Sequence, residues 1–99
     1  MAVRITTQPG EVLREEFLKP HGLTANALAI ALRVPATRIG AILRTRAPRA
    51  VTPDTALRLA RYFGTTPEFW MNLQAAHDLS KAKSELQSTI DRDVRRRAA

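Results

Sequence analysis

The sequence predicts an all-α fold in which five helices form a compact bundle. Apolar residues recur at helical spacing, several segments open with proline-containing helix start signals, and no stretch alternates with the period of a strand. A chain of 99 residues has the size of a single domain, here over residues 1–99. We expect a core over about 9–79 and a helical extension over about 80–99.

The first helix is predicted to begin near Pro9-Gly10-Glu11, because proline suits the first helical position and an acid suits the positive helix end. Pro20 and Gly22 stop it. Residues 1–8 are expected to form an extended arm. The side chains predicted to be buried are Val12, Leu13, Phe17 and Leu18, and those predicted to face water are Arg14, Glu15 and Glu16.

Residues 24–45 are predicted to form two short helices joined by a tight turn. Thr24 is a good N-cap for the first, and Pro35 ends it while suiting the first turn of the next, which runs to about Leu43. The apolar residues of this stretch are Leu28, Ala29, Ala31, Leu32, Val34, Ile39, Ile42 and Leu43. Their spacing gives each helix one buried stripe. Such a pair, with small, polar and basic residues on the other side of the second helix, is typical of a helix-turn-helix that contacts DNA.

A loop follows over 44–51, since Pro48 prevents a helix across it. Thr52-Pro53-Asp54 then starts a fourth helix that ends at Gly64. The residues that this helix is predicted to bury are Ala56, Leu57, Leu59, Ala60 and Phe63. The same start signal recurs at Thr66-Pro67-Glu68, and the fifth helix is predicted to continue well past Leu79.

The far end of the fifth helix carries one apolar stripe, formed by Leu79, Leu86, Ile90 and Val94. A stripe that the core has no need of usually meets another chain, so these residues are predicted to form the interface of a homodimer. The alternative is that the stripe folds back onto its own core.

Positive charge is concentrated near the proposed helix-turn-helix. The net charge is +7, and residues 33–61 hold seven arginines, no lysine and one acid, Asp54. Guanidinium groups match phosphates and base edges better than ammonium groups do. The segment is therefore predicted to face DNA, although a solvated basic surface is the simpler interpretation.

Nothing in the sequence indicates catalysis or a cofactor. His21 and His77 lack metal-ligand spacing, so no metal site is expected; they are predicted to lie at a helix end and on a helix surface. Glu15 and Glu16 diverge by about 100° on a helix and cannot converge on one substrate atom. The chain has no cysteine, no apolar leader and no stretch of membrane-spanning length, so we expect a cytoplasmic protein that does not enter membranes.

Two long stretches resemble a known family. PGEVLREEFLKPHGLTANALAIALRVPATRI and VTPDTALRLARYFGTTPEFWMNLQAAHDL closely resemble the HigA antitoxins of toxin–antitoxin modules, within the Xre family of phage-repressor-like helix-turn-helix proteins. The resemblance implies a lambda-repressor-like bundle and a homodimer. It also implies a double-stranded operator DNA and a cognate HigB-type toxin, a small mRNA endonuclease, as partners, with repression of the shared operon through a palindromic operator.

The resemblance also places DNA-contacting positions on the third helix. The residues that it indicates for base contacts are Ala36, Thr37, Arg38, Gly40 and Ala41. Arg38 suits either a guanine edge or a phosphate, and Thr37 either a base or a phosphate. The family often has glutamine after the N-cap of the preceding helix. This chain has Ala25 and then Asn26 there, which shifts weight towards arginine contacts and DNA shape.

The residues expected to contact phosphates are Thr24, Asn26, Arg44, Arg46 and Arg49. Two other functions remain open at this stage. One is a general regulator of the same fold without a toxin partner. The other is that this small basic chain is itself the RNA-cleaving toxin, which would need a sheet that the sequence does not predict.

Overall fold

The computed structural model describes residues 7–98 and shows five helices, without a strand in that range. The first helix, α1, is continuous through Pro9–Val12, Leu13–Leu18 and Lys19–His21. The others are α2 (Ala25–Leu32), α3 (Ala36–Leu43), α4 (Pro53–Phe63) and α5 (Pro67–Asp93). The predicted all-α class is confirmed. Most of the predicted arm at residues 1–8 lies outside the described residues.

The middle of α1, Leu13–Leu18, is a π-helix, which the sequence did not predict. A π-helix closes each hydrogen bond over five residues rather than four. Leu13 and Leu18 are five residues apart and both are buried, with 1% and 5% of their surface exposed. The wider turn thus brings both leucines onto the inward face.

The predicted helix starts are where the structure has them. Thr24 Oγ1 accepts a hydrogen bond from Ala27 N at 3.0 Å, and Thr66 Oγ1 accepts one from Phe69 N at 3.1 Å. Thr52 occupies the N-cap position of α4 without such a bond. Pro35 lies one residue outside α3 as its N-cap, and Arg33, at φ 60°, turns the chain between α2 and α3.

The core lies where all five helices meet. Its most buried large side chains are Trp70, Leu13, Leu28, Ile39, Ile42 and Leu59. Trp70 Nε1 donates to Thr65 Oγ1 at 2.8 Å, so burial of the indole leaves no unsatisfied donor. The ring of Phe17 lies 5.0 Å from that of Trp70 and 4.8 Å from that of Phe63, which joins α1 to α4 and α5.

Several predicted exposures are wrong. Leu57 is 60% exposed, because it lies about 100° around α4 from the buried Ala56. Ala31 is exposed and Val12 only half-buried for similar reasons of helical position. His77, predicted on the surface, is 8% exposed, since two turns of α5 separate it from Trp70 and place both on one face.

The stripe at the end of α5 points away from the core. Its members remain exposed, at 58% for Leu79, 49% for Leu86, 44% for Ile90 and 64% for Val94. The inward face of α5 carries Trp70, Gln74 and His77, which lie roughly opposite Leu79 around the helix. The alternative that the stripe folds back onto its own core is therefore wrong.

Within residues 7–98, no helix has the length and apolarity that a membrane crossing requires.

Candidate nucleic-acid interface

Helix α3 has one buried side and one open side. Ile39 and Ile42 lie inward with 0% and 1% of their surface exposed, because they are three residues apart and share a face. The outward positions Ala36, Thr37 and Gly40 are exposed, and Ala41 is half-buried. The helix is thus held from beneath while its small-residue face is free to enter a groove.

Contacts at the C-terminal end of α3 fix its position on the bundle. Gly10 of α1 lies directly against the backbone of Ile42, so closely that a β-carbon at Gly10 would collide with the Ile42 carbonyl oxygen. Arg14, predicted to face water, is half-buried, and its Nη1 donates to the Leu43 carbonyl at 2.7 Å. The last carbonyls of a helix have no partner within the helix, so this bond satisfies one of them.

The residues predicted to contact phosphates are all on the surface: Thr24, Asn26, Arg44, Arg46 and Arg49 are exposed. Arg49 N donates to the Ala41 carbonyl at 2.9 Å, which ties the loop to α3. Arg44 Nη2 donates to the Ala47 carbonyl at 3.3 Å across the same loop. The loop therefore carries three exposed arginines at the end of α3.

Arg38 has a partner that the sequence analysis missed. Its Nη1 donates to Asp54 Oδ2 at 2.6 Å, from the flank of α3 to the first turn of α4. Arg58 Nε donates to the same oxygen at 3.1 Å, and Arg58 Nη1 donates to the Leu32 carbonyl at 2.8 Å. One carboxylate thus connects α3 with α4 and, through Arg58, with the end of α2.

The two bonds stabilise the ionised form of Asp54. The Arg38 hydrogen bond, and then the Arg58 hydrogen bond, hold the pKa of Asp54 below its ordinary value. An aspartate is ionised at neutral pH in any case, and the two bonds extend its ionised range to lower pH. The Asp54–Arg58 bond was within reach of sequence reasoning, because the two residues are four apart on one helix. The Arg38–Asp54 bond was not, because 16 residues separate its partners.

Among residues 7–98, no three His, Asp or Glu side chains lie close enough together to hold a metal ion. His21 is exposed at the last position of α1, as predicted, while His77 is buried on α5. Beside α3, the guanidinium groups of Arg38 and Arg58 converge on the Asp54 carboxylate, and the cluster has a net positive charge.

No family model matches the chain, but individual proteins do. Virulence-associated protein I of Dichelobacter nodosus is 55% identical over 80 residues, which are 81% of this chain and 72% of that protein. Antitoxin HigA-1 of Vibrio cholerae is 38% identical over 78 residues, 79% of this chain and 71% of that protein. The structure of antitoxin GraA in complex with its operator superposes with a TM-score of 0.89 at 45% identity, covering 100% of this chain and 97% of that chain.

Proposed function

The chain belongs to the HigA group of helix-turn-helix antitoxins, and on that basis we propose that it is a sequence-specific DNA-binding antitoxin. It binds a cognate HigB-type mRNA-endonuclease toxin and represses its own operon through a palindromic operator. The observation that supports DNA binding best is the open face of α3. The side chains on that face are small enough for the helix to approach DNA closely, and the buried residues on the opposite side of α3 hold the helix in place.

Base contacts come from the outward positions of α3. Thr37 offers a hydroxyl and a methyl group, and the lack of bulk at Ala36, Gly40 and Ala41 lets the helix approach base edges and thymine methyls. Arg38, on the flank of the same helix, supplies the one strong donor group. We assign Thr24, Asn26, Arg44, Arg46 and Arg49 to the phosphates on either side of the groove.

A palindromic operator requires two copies of α3. A homodimer presents both with two-fold symmetry, spaced by about one turn of DNA, roughly 34–36 Å. Leu79, Leu86, Ile90 and Val94 supply the interface, because they are large exposed apolar residues spread from the middle of α5 to the residue after its end.

The second candidate, a regulator that acts without a toxin, has the same DNA interface. The proposal of toxin binding is based on family membership alone, whereas the proposal of DNA binding is also supported by the geometry of α3. A gene for a small basic protein rich in β-strands, directly beside the gene for this chain, would favour the toxin-binding function.

The DNA interface is tested by comparing Arg38→Ala with Arg46→Ala. The probes are a duplex of the DNA upstream of the chain's own gene and a scrambled duplex of equal length and composition. We expect Arg38→Ala to weaken binding to the upstream duplex by about 1–3 kcal/mol and to reduce discrimination between the two. Arg46→Ala should weaken binding to both alike and lower the log–log salt slope by about one unit.

Arg61→Ala is the matched control, because Arg61 is an exposed arginine of the same basic segment that lies on α4, outside the assigned interface. It should retain the discrimination of the wild type. Gel shifts in which both test variants bind like the wild type would show that DNA meets another face of the molecule.

A further inference from the structure

Asp54 is the only acid among the seven arginines of residues 33–61, and it lies in the first turn of α4 beside the proposed DNA-binding helix. We propose that Asp54 is a positioning residue that determines specificity, because its carboxylate holds the Arg38 guanidinium between α3 and the first turn of α4. With its guanidinium held in this position, Arg38 contacts one base position and does not bind the neighbouring phosphates. This inference rests on the proposed function and deepens it.

The geometry restrains both partners. The Arg38 side chain is only 28% exposed, and its guanidinium end is bonded to Asp54 at 2.6 Å. The bond to Asp54 occupies one of the five N–H donors of the guanidinium, which leaves others for a DNA acceptor. Asp54 is itself held by Arg58, which is anchored on the Leu32 carbonyl. Three helices thus determine where the Arg38 guanidinium lies before DNA arrives.

Electrostatics argues that Asp54 increases selectivity while it lowers affinity. A carboxylate beside a phosphate-binding surface repels every DNA sequence alike, so its presence lowers affinity. Exposed ion pairs contribute little to folding stability, and 54% of the Asp54 side chain is exposed. An arginine fixed in advance loses less side-chain entropy when it binds its site, and a fixed guanidinium has fewer alternative acceptors. Both effects favour the correct sequence over others.

The experiment compares Asp54→Asn with the wild type on the upstream duplex and the scrambled duplex. Asparagine keeps the size of the side chain and removes the charge. We expect affinity for the scrambled duplex to rise several-fold and the salt slope to steepen by about one unit, because Arg38 becomes free for phosphates. The ratio of the two affinities should fall by about tenfold.

Companion variants show whether the effect passes through Arg38. In an Arg38→Ala background, Asp54→Asn should leave the ratio of the two affinities unchanged. In the wild-type background, Asp54→Glu keeps the carboxylate and should retain most of the wild-type ratio. Arg58→Ala removes the second hydrogen bond to Asp54 and the anchor on the Leu32 carbonyl, but it leaves the Arg38–Asp54 pair. It should lower the ratio of the two affinities, by a smaller factor than Asp54→Asn does.

Two outcomes would overturn the inference alone. If Asp54→Asn raises both affinities by the same factor, Asp54 acts only through its charge. If the ratio falls equally with and without Arg38, Asp54 does not act through Arg38. A wild-type chain that binds the two duplexes equally would instead overturn the proposed function, and this inference with it.

Discussion

Helix α3 and the second half of α5 each have an exposed face, but the two faces differ in composition. On α3 the open face is made of alanines, a threonine and a glycine, with arginines at its borders. On α5 the open face is apolar, and Leu86 and Ile90 are exposed at 49% and 44%. A face of small residues bordered by arginines suits a phosphate-lined groove, whereas an apolar stripe suits another protein surface.

The two helices also differ in what keeps them folded. Helix α3 has only eight residues, too few to be stable alone, so it depends on Ile39 and Ile42 in the core. Helix α5 has 27 residues, and beyond Ser80 none of its described residues is buried. The bundle therefore stabilises α3, whereas the end of α5 has no buried residue that holds it to the bundle.

The largest expected effect comes from charging the stripe. Replacing Leu86 and Ile90 together with aspartate should convert the homodimer into monomers in sedimentation velocity. Burying an apolar side chain of this size contributes roughly 1.5–3 kcal/mol, and a dimer would lose four of them. Affinity for the upstream duplex should fall steeply as well, because the two copies of α3 would no longer be joined.

Ser84→Asp with Ser88→Asp is the matched control. It adds the same charge to exposed positions on the other side of the same helical segment and should leave the dimer intact. A wild-type chain that sediments as a monomer would contradict the assignment of the stripe.

Features set by local sequence were predictable. Thr24 and Thr66 cap their helices as expected, because an N-cap needs only its own few residues. The split of α3 into buried isoleucines and open small residues followed from helical periodicity. Whether the assigned side chains contact bases and phosphates remains a prediction, since periodicity identifies an open face and not its partner.

Features set by tertiary packing were not predictable. Arg38 and Asp54 meet only because α3 and α4 pack together. Leu57 was expected in the core, but the width of the buried stripe on α4 depends on how closely its neighbours pack.

His77, in contrast, was expected on a helix surface although its burial was predictable. It lies two helical turns from Trp70, so the two residues share one face of α5.

A second prediction compares two glutamines, one from each half of α5. Gln74 is buried, and its Oε1 accepts a hydrogen bond from Val51 N at 2.8 Å, which fixes the end of the loop after α3. Gln74→Leu should lower the free energy of unfolding by about 1–3 kcal/mol, because it leaves a buried N–H without a partner. The denaturant midpoint at a fixed protein concentration measures the loss.

Gln87→Leu provides the comparison, since Gln87 is exposed and bonds only to Asp91 one turn away. It should change the free energy of unfolding by less than about 0.5 kcal/mol. Equal losses from the two variants would mean that the halves of α5 contribute equally to the folded monomer, contrary to their burial.

At Gly40, stability and DNA binding should change in opposite directions. A β-carbon at Gly40 would have no neighbouring atom within 4 Å, so Gly40→Leu should stabilise α3 by about 0.5–1 kcal/mol through better helix propensity. The added bulk on the open face should nevertheless weaken binding to the upstream duplex by about tenfold. Gly10→Ala is the counterpart on the buried side of α3. There even a methyl group collides with the Ile42 carbonyl and should cost about 1–3 kcal/mol of stability. A Gly40→Leu variant that melts higher and still binds like the wild type would show that this face of α3 does not enter the groove.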